Sequence, residues 1–182
     1  MPVSAMVSVE EYLSTAFETD CDYVDGELIE RNMGELDHSG VQGWIFALLF
    51  SQRSSAGIHL FPETRVQVSA VRYRVPDISV TTRRVTTSGA QRRILCEPPF
   101  LCVEILSPED RMSRVEERIE DLLAFGVTHV WLVDPQRRKA WTYTSAVRHE
   151  VPDLLTTTEP FLSVSLKEVF RSLEEDVESE QP

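Results

Sequence analysis

Asp77 and Glu104 are the residues whose type and setting suggest chemistry. Glu104 lies inside Phe100-Leu101-Cys102-Val103-Glu104-Ile105-Leu106, an apolar run of strand length stopped by Ser107-Pro108. Side chains alternate across a strand, so Phe100, Cys102, Glu104 and Leu106 share one face, while Leu101, Val103 and Ile105 share the other. Neither face is polar, and an ionised carboxylate there is costly unless a cation, a metal or several hydrogen bonds compensate it. Asp77 has a similar place in the run from Arg72 to Thr81, on the same face as Val75 and Ser79. On facing positions of adjacent strands, the two acids would form a hard-oxygen pair suited to Mg²⁺ or Mn²⁺. Such an ion can polarise a phosphodiester and lower the pKa of an attacking water. The alternative has Asp77 at a strand end facing solvent and Glu104 in a structural pair with an arginine.

The helix expected after Glu104 carries the candidate arginines. Arg118 stands three residues beyond Val115 and four before Leu122, so it borders the apolar stripe, and Arg114 lies one turn earlier on the same side. Such a guanidinium needs an acid, for which Glu104 is a candidate, or an anion, for which a phosphate is one. Equally, both arginines could reach water or pair with Glu117 and Asp121. The basic residues are almost all arginines, Arg72, Arg74, Arg83, Arg84, Arg92, Arg93 and Arg111 among them. Arginine suits phosphate forks and carboxylate pairs better than lysine does.

The elements that must position these groups follow from periodicity and punctuation. Ser8 with Glu11 forms a capping box for a short helix ending near Thr19. Tyr23 to Glu30 reads as a hairpin turning at Asp25-Gly26. Val41, Trp44, Ile45, Leu48 and Leu49 predict a helix to about Arg53, capped by Asp37 and stopped by Gly57. Strands are expected over His59–Ser69 and Arg72–Thr81, with Pro76 favouring a strand start or edge. The stretch from Thr82 to Pro99 reads as a connection bordering the site. Ser113 with Glu116 predicts a second capping box, for a helix closed at Gly126. Strands at Thr128–Asp134, Ala140–Thr144 and Leu162–Val164 and a helix from about Ser165 complete the chain. This is an α/β (α+β) pattern, a mixed β-sheet flanked by helices, with a parallel crossover from Phe100 to Val133.

The 182 residues fit one domain, expected over 1–172, with an acidic tail over 173–182. With 42% apolar and 26% charged residues the chain falls in the globular class. A net charge of −12, part of it in the acidic run from Glu174 to Glu180, weighs against a surface coated for phosphate binding, so any DNA contact must be local. Cys21, Cys96 and Cys102 include no CxxC pair, which points to reduced thiols. Met1 to Asp20 lacks the order of a signal peptide, and no run reaches membrane-spanning length, so the expected location is cytoplasmic. His59, His129 and His149 lack metal-ligand spacing and read as structural or surface residues.

A linked set of motifs resembles a known family. Arg74-Val75-Pro76-Asp77-Ile78, Val103-Glu104-Ile105-Leu106-Ser107-Pro108, Phe125-Gly126-Val127 and Val130-Trp131-Leu132-Val133-Asp134-Pro135, in that order, resemble the Uma-two family of the PD-(D/E)xK nuclease superfamily. The likeness spans about Tyr23 to Val164. It implies a restriction-endonuclease-like fold and Mg²⁺-dependent hydrolysis of DNA phosphodiester bonds, with Asp77 and Glu104 as metal ligands. Leu106 stands where the superfamily has lysine, and Arg118 aligns with a lysine found on the following helix in relatives. Arg118 would then be catalytic by steadying charge, since arginine does not act as a base. Glu30 and His38 match positions where the family carries polar residues near the substrate cleft, and Arg114, the third substrate-binding candidate, stands where relatives carry an aspartate. The resemblance also allows a homodimer, for which strand edges near Trp141 or Tyr143 are candidates, and a catalytically inactive binding module that keeps the fold.

Overall fold

The computed structural model describes residues 6–17, 21–31, 35–85 and 94–178, with backbone alone at 172 and 174–178. Arg92, Arg93 and the last residues of the expected tail lie outside these. Helix α1 (Val9–Ser14) starts as expected, with Ser8 Oγ accepting the Glu11 N–H at 3.1 Å, but ends before Thr15, whose backbone is extended. Strands β1 (Cys21–Val24) and β2 (Glu27–Glu30) form the Asp-Gly hairpin. Both turn residues have positive φ, 51° at Asp25 and 98° at Gly26, as a two-residue turn matched to strand twist requires.

Helix α2 (Leu36–Ser51) buries Val41, Ile45 and Leu49, whereas Trp44 is exposed. Its N-cap is Glu35 without a side-chain bond, so Asp37 falls in the first turn and does not cap. A short helix α3 (Arg53–Ala56) follows and ends at Gly57.

The two strand runs predicted before the connection each break in two. The first gives β3 (His59–Pro62) and β4 (Arg65–Ser69), the second β5 (Arg72–Arg74) and β6 (Ile78–Thr81). The breaks arise because each run crosses between sheets. One sheet has the order β2-β1-β5-β4-β7, with β7 at Ile94–Leu95 inside the expected connection. The other has the order β11-β10-β9-β8-β6-β3, and β12 and β13 pair separately. Here β8 is Leu101–Ile105, β9 His129–Asp134, β10 Lys139–Tyr143, β11 Arg148–Val151, β12 Leu154–Thr156 and β13 Ser163–Ser165. Pro76, which has no N–H to give a ladder, stands at one crossing, and Glu63, with φ of 45°, at the other. The crossings are bonded to each other, the Glu63 N–H donating to the Asp77 carbonyl at 3.1 Å.

Helix α4 (Met112–Phe125) joins β8 to β9, which pair in parallel as predicted. Its N-cap is Arg111 without a side-chain bond. Ser113 therefore lies inside the helix, and the second capping box does not form. Gly126 closes it at φ of 112°, where most side chains would be strained. Helix α5 (Leu166–Glu178) carries helical backbone into the stretch expected as a tail.

The alternation read along β8 holds. Leu101, Val103 and Ile105 pack with Val41, Ile45 and Leu49 of α2 and Val169 of α5. Cys102 packs on the other face with Val115, Ile119 and Leu122 of α4. Helix α4 is thus clamped between the large sheet and Val66 of β4, which fixes the face it turns toward Glu104. Trp141 and Tyr143 lie on β10, paired on both sides by β9 and β11, so they are not on an open edge. The outer strands of that sheet are β11 and β3. Cys21, Cys96 and Cys102 are free thiols. Among the described residues no helix is long and apolar enough to cross a membrane.

Candidate active site

Asp77 is positioned by the sheet crossing. It falls just before β6, whose register pairs Ile78 with Val103; one step further along, Asp77 stands opposite Glu104. Freed from a ladder, its carboxylate completes one instead, Oδ2 accepting the Ile105 N–H at 2.6 Å. Its carbonyl accepts from Gln42 Nε2 of α2 at 3.1 Å. The side chain is 1% exposed, which removes the alternative of a strand-end acid facing solvent. Glu104, equally buried, points to the α4 side of β8.

Guanidinium groups approach both acids. Arg118 Nε lies 3.3 Å from Glu104 Oε2. That approach lacks hydrogen-bond direction, and Arg118 Nε and Glu104 Oε1 have no hydrogen-bond partner among the described residues. The alternative acids for Arg118, Glu117 and Asp121, are engaged by Arg72 and Arg74 of β5. Arg31, immediately after β2, pairs with Asp77 Oδ1, and His38 Nε2 stands 3.5 Å from the same oxygen.

The electrostatics separate the two acids. Burial alone would raise the Asp77 pKa, but Arg31, His38 and the Ile105 N–H outweigh it, and the carboxyl is held below the usual range. Burial pushes Glu104 up to about 7; Arg118 opposes this and the Asp77 charge adds to it. Burial would lower His38, yet its hydrogen bond and charge attraction to Asp77 raise it on balance. Two acids on facing positions, one held ionised and one poised near neutrality, are a combination found at catalytic sites.

Arg31 and Arg118 form the floor of an open cleft of about 310 Å³, also lined by Glu30, Arg111 and Arg114. Glu30, Arg114 and Arg118 line this cleft and Asp77, Glu104 and His38 do not; Arg31 and Arg118 reach from it to the two acids, and His38 stands against Asp77. Acids share the lining, but several are already engaged: Asp22 and Glu117 by Arg74, and Asp110 by the Ser107 N–H at 2.8 Å. A larger hollow of about 670 Å³ lies between Thr81–Val85 and Leu95–Phe100, away from the acid pair. Leu106 packs against the α4 cluster. The sequence has two lysines; Lys139 pairs with Glu150 at 2.9 Å, Lys167 is in α5, and neither lines the cleft.

The residues fit a hard divalent cation. Glu104 Oε1 is a buried carboxylate oxygen without a hydrogen-bond partner among the described residues, and Glu104 stands opposite Asp77 when the strand register is continued by one residue. No group of three or more His, Cys, Asp or Glu that could hold a metal occurs among the described residues, but Mg²⁺ needs only one or two carboxylates and keeps waters. Sequence reasoning missed Arg31. Its contact with Asp77 spans 46 positions, and its only local signal is a charge where the hairpin ends.

No curated protein matches the chain. Among solved structures it is similar to a putative nuclease of the DUF820 group from Anabaena variabilis ATCC 29413, with a TM-score of 0.79 and 26% identity. The alignment covers 92% of this chain and 99% of that one. The α+β architecture of mixed sheets flanked by helices is thus shared with a nuclease-like protein. Residues 9–178 match the Uma2 family, described as "Putative restriction endonuclease", and the chain belongs to that family.

Proposed function

We propose that this protein is a metal-dependent endonuclease that hydrolyses DNA phosphodiester bonds in the arginine-lined cleft. The observation that carries the reading is the buried Glu104 Oε1, without a hydrogen-bond partner among the described residues and opposite Asp77 in the register, the two acids being joined to the cleft by Arg31 and Arg118 of its lining. Asp77 and Glu104 would hold Mg²⁺ or Mn²⁺, which when bound supplies Lewis-acid polarisation of the phosphate and an acidified water. Arg118 keeps its charge at any working pH, so it steadies negative charge on the phosphate and orients Glu104 without moving a proton. Arg111 and Arg114, exposed at the cleft, would take flanking phosphates, the local contact that a chain of net charge −12 requires. Glu30 would border the substrate from the cleft lining, and His38, buried behind it, would act through Asp77. The free thiols Cys21 and Cys102, both buried, suit a cytoplasmic protein.

One observation favours a second reading. Each acid already faces a guanidinium, Arg31 at Asp77 and Arg118 at Glu104, as in a catalytically inactive binding or assembly module. The experiment is cleavage of supercoiled plasmid with Mg²⁺ or Mn²⁺ by the parent, Asp77→Ala and Glu104→Ala. The nuclease reading expects each variant to lose about 100-fold or more of the rate, the scale of losing a group that stabilises transition-state charge. Equal cutting by all three proteins overturns it, and no cutting by the parent with either ion favours the module.

A further inference from the structure

We propose that Arg31 is the resident counter-cation of the acid pair, and that a divalent ion loads there only as a DNA phosphodiester draws Arg31 away. The proposal rests on the metal-dependent reading above and adds an order of events to it.

The two acids differ in what is left to bind. Asp77 has both oxygens in use, Oδ1 by Arg31 and His38 and Oδ2 by the Ile105 N–H. An ion that used Oδ1 would compete with the Arg31 guanidinium for the same lone pairs. Glu104 keeps Oε1 unpartnered, so half of the cation site is open while the other half is taken.

Charge sharpens the conflict. Arg31 and Arg118 together balance the Asp77 and Glu104 carboxylates, and His38 adds to the positive side when protonated. A doubly charged ion placed in that set leaves an excess of buried positive charge, which is costly unless a cation leaves or an anion arrives. A phosphodiester does both. It brings negative charge, and it offers the guanidinium oxygens it can grip as well as it grips a carboxylate.

The position of Arg31 permits the exchange. It follows the last residue of β2, outside the ladder, and Asp77 is its one ion-pair partner among the described contacts. Arg74 is held very differently, by Asp22, Glu117 and Asp121 at once. Arg31 also lines the cleft with Arg111, Arg114 and Arg118, so on leaving Asp77 it turns into the space where a phosphate would lie.

Linkage makes this testable: if DNA tightens ion binding, the ion tightens DNA binding by the same factor. Mn²⁺ binding to the full chain is followed by paramagnetic resonance of the free ion, with and without a short phosphorothioate DNA duplex. The Asp77→Asn/Glu104→Gln double variant measures ions held by the duplex itself. The parent is expected to bind Mn²⁺ about tenfold or more tightly with duplex than without, within the usual range of coupling between sites. Arg31→Gln is expected to bind Mn²⁺ alone about tenfold more tightly than the parent, and to gain little from duplex. The duplex effect is read on the parent, so a misfolded variant does not shelter the proposal. Mn²⁺ bound at the acids with equal affinity in the presence and absence of duplex overturns the role of Arg31 and leaves the nuclease reading standing. No ion at the acids under either condition overturns both.

Discussion

Helix α4 has an arginine–carboxylate cluster on each side, and the two are satisfied to different degrees. On the β5 side Arg74 gives Nε and Nη2 to Asp121 Oδ2 at 2.9 and 2.6 Å and Nη1 to Asp22 Oδ2 at 3.1 Å. Asp22 Oδ1 in turn accepts the Val75 N–H at 2.9 Å. On the β8 side Arg118 approaches Glu104 without a directed bond, and among the described residues neither Glu104 Oε1 nor His38 Nδ1 has a hydrogen-bond partner. Buried charges that are fully hydrogen-bonded hold a fold together. Buried charges left short of partners raise the energy of the resting protein and mark a place where a ligand would complete the set. One cluster ties β1, β5 and α4 together; the other is the candidate active site.

The sharpest way to break the contrast is Arg74→Ala. Arg74 is 2% exposed and its loss strands Asp22, so unfolding in denaturant should show a cost of about 3–5 kcal/mol, the usual effect of removing one partner of a buried pair. A loss below about 1 kcal/mol would place Arg74 among ordinary surface pairs and erase the distinction.

Glu104→Gln should act in the opposite direction in the absence of divalent ions. The Glu104 carboxyl moves from an ordinary value of 4.5 to about 7 in the folded chain. Between those values the folded protein binds more protons than the unfolded one, so stability from this group falls as pH rises through the window and is flat above it. Gln removes that penalty. The variant should gain up to about 3 kcal/mol at pH values above the window, less whatever Arg118 loses with its counter-charge, and close to nothing below it. Asp77, with its pKa depressed, works the other way: its contribution is present above the ordinary carboxyl value and is lost as pH falls through the lowered one. Denaturant unfolding over a pH series checks both. A destabilised Glu104→Gln at every pH would make Glu104 a structural partner like Asp22.

Arg114→Ala should have the smallest effect. It is exposed, so stability should change by less than about 0.5 kcal/mol. DNA affinity should fall uniformly across sequences, with the slope of log affinity against log salt reduced by about one. An unchanged slope would remove Arg114 from the phosphate path.

Glu104 was legible because it interrupts an apolar run, which composition displays directly, whereas Asp77 was marked by its mid-run place on the face of Val75 and Ser79 and by the motif around it. Arg118 was legible by its helical spacing from Val115 and Leu122. Arg31 was not, since its partner is set by tertiary approach of β2 to the sheet crossing. The crossings themselves were hidden: Arg72 to Thr81 reads as one strand because pattern records alternation, not which sheet each half joins. Ser113 failed as a cap because the N-cap is Arg111, two residues earlier, a shift that spacing does not resolve. Strand β11 has mostly exposed residues and leaves no apolar signal, and β12, Leu154–Thr156, is too short for an alternation to register.

The most direct test of the acid pair is anomalous diffraction from crystals grown with Mn²⁺ and a short DNA duplex. The account predicts an Mn²⁺ peak bonded to both an Asp77 carboxylate oxygen and Glu104 Oε1, at about 2.1–2.2 Å if it coordinates much as Mg²⁺ does. Diffraction that shows the duplex seated in the cleft and Arg31 still on Asp77, with no ion between the two acids, would contradict it.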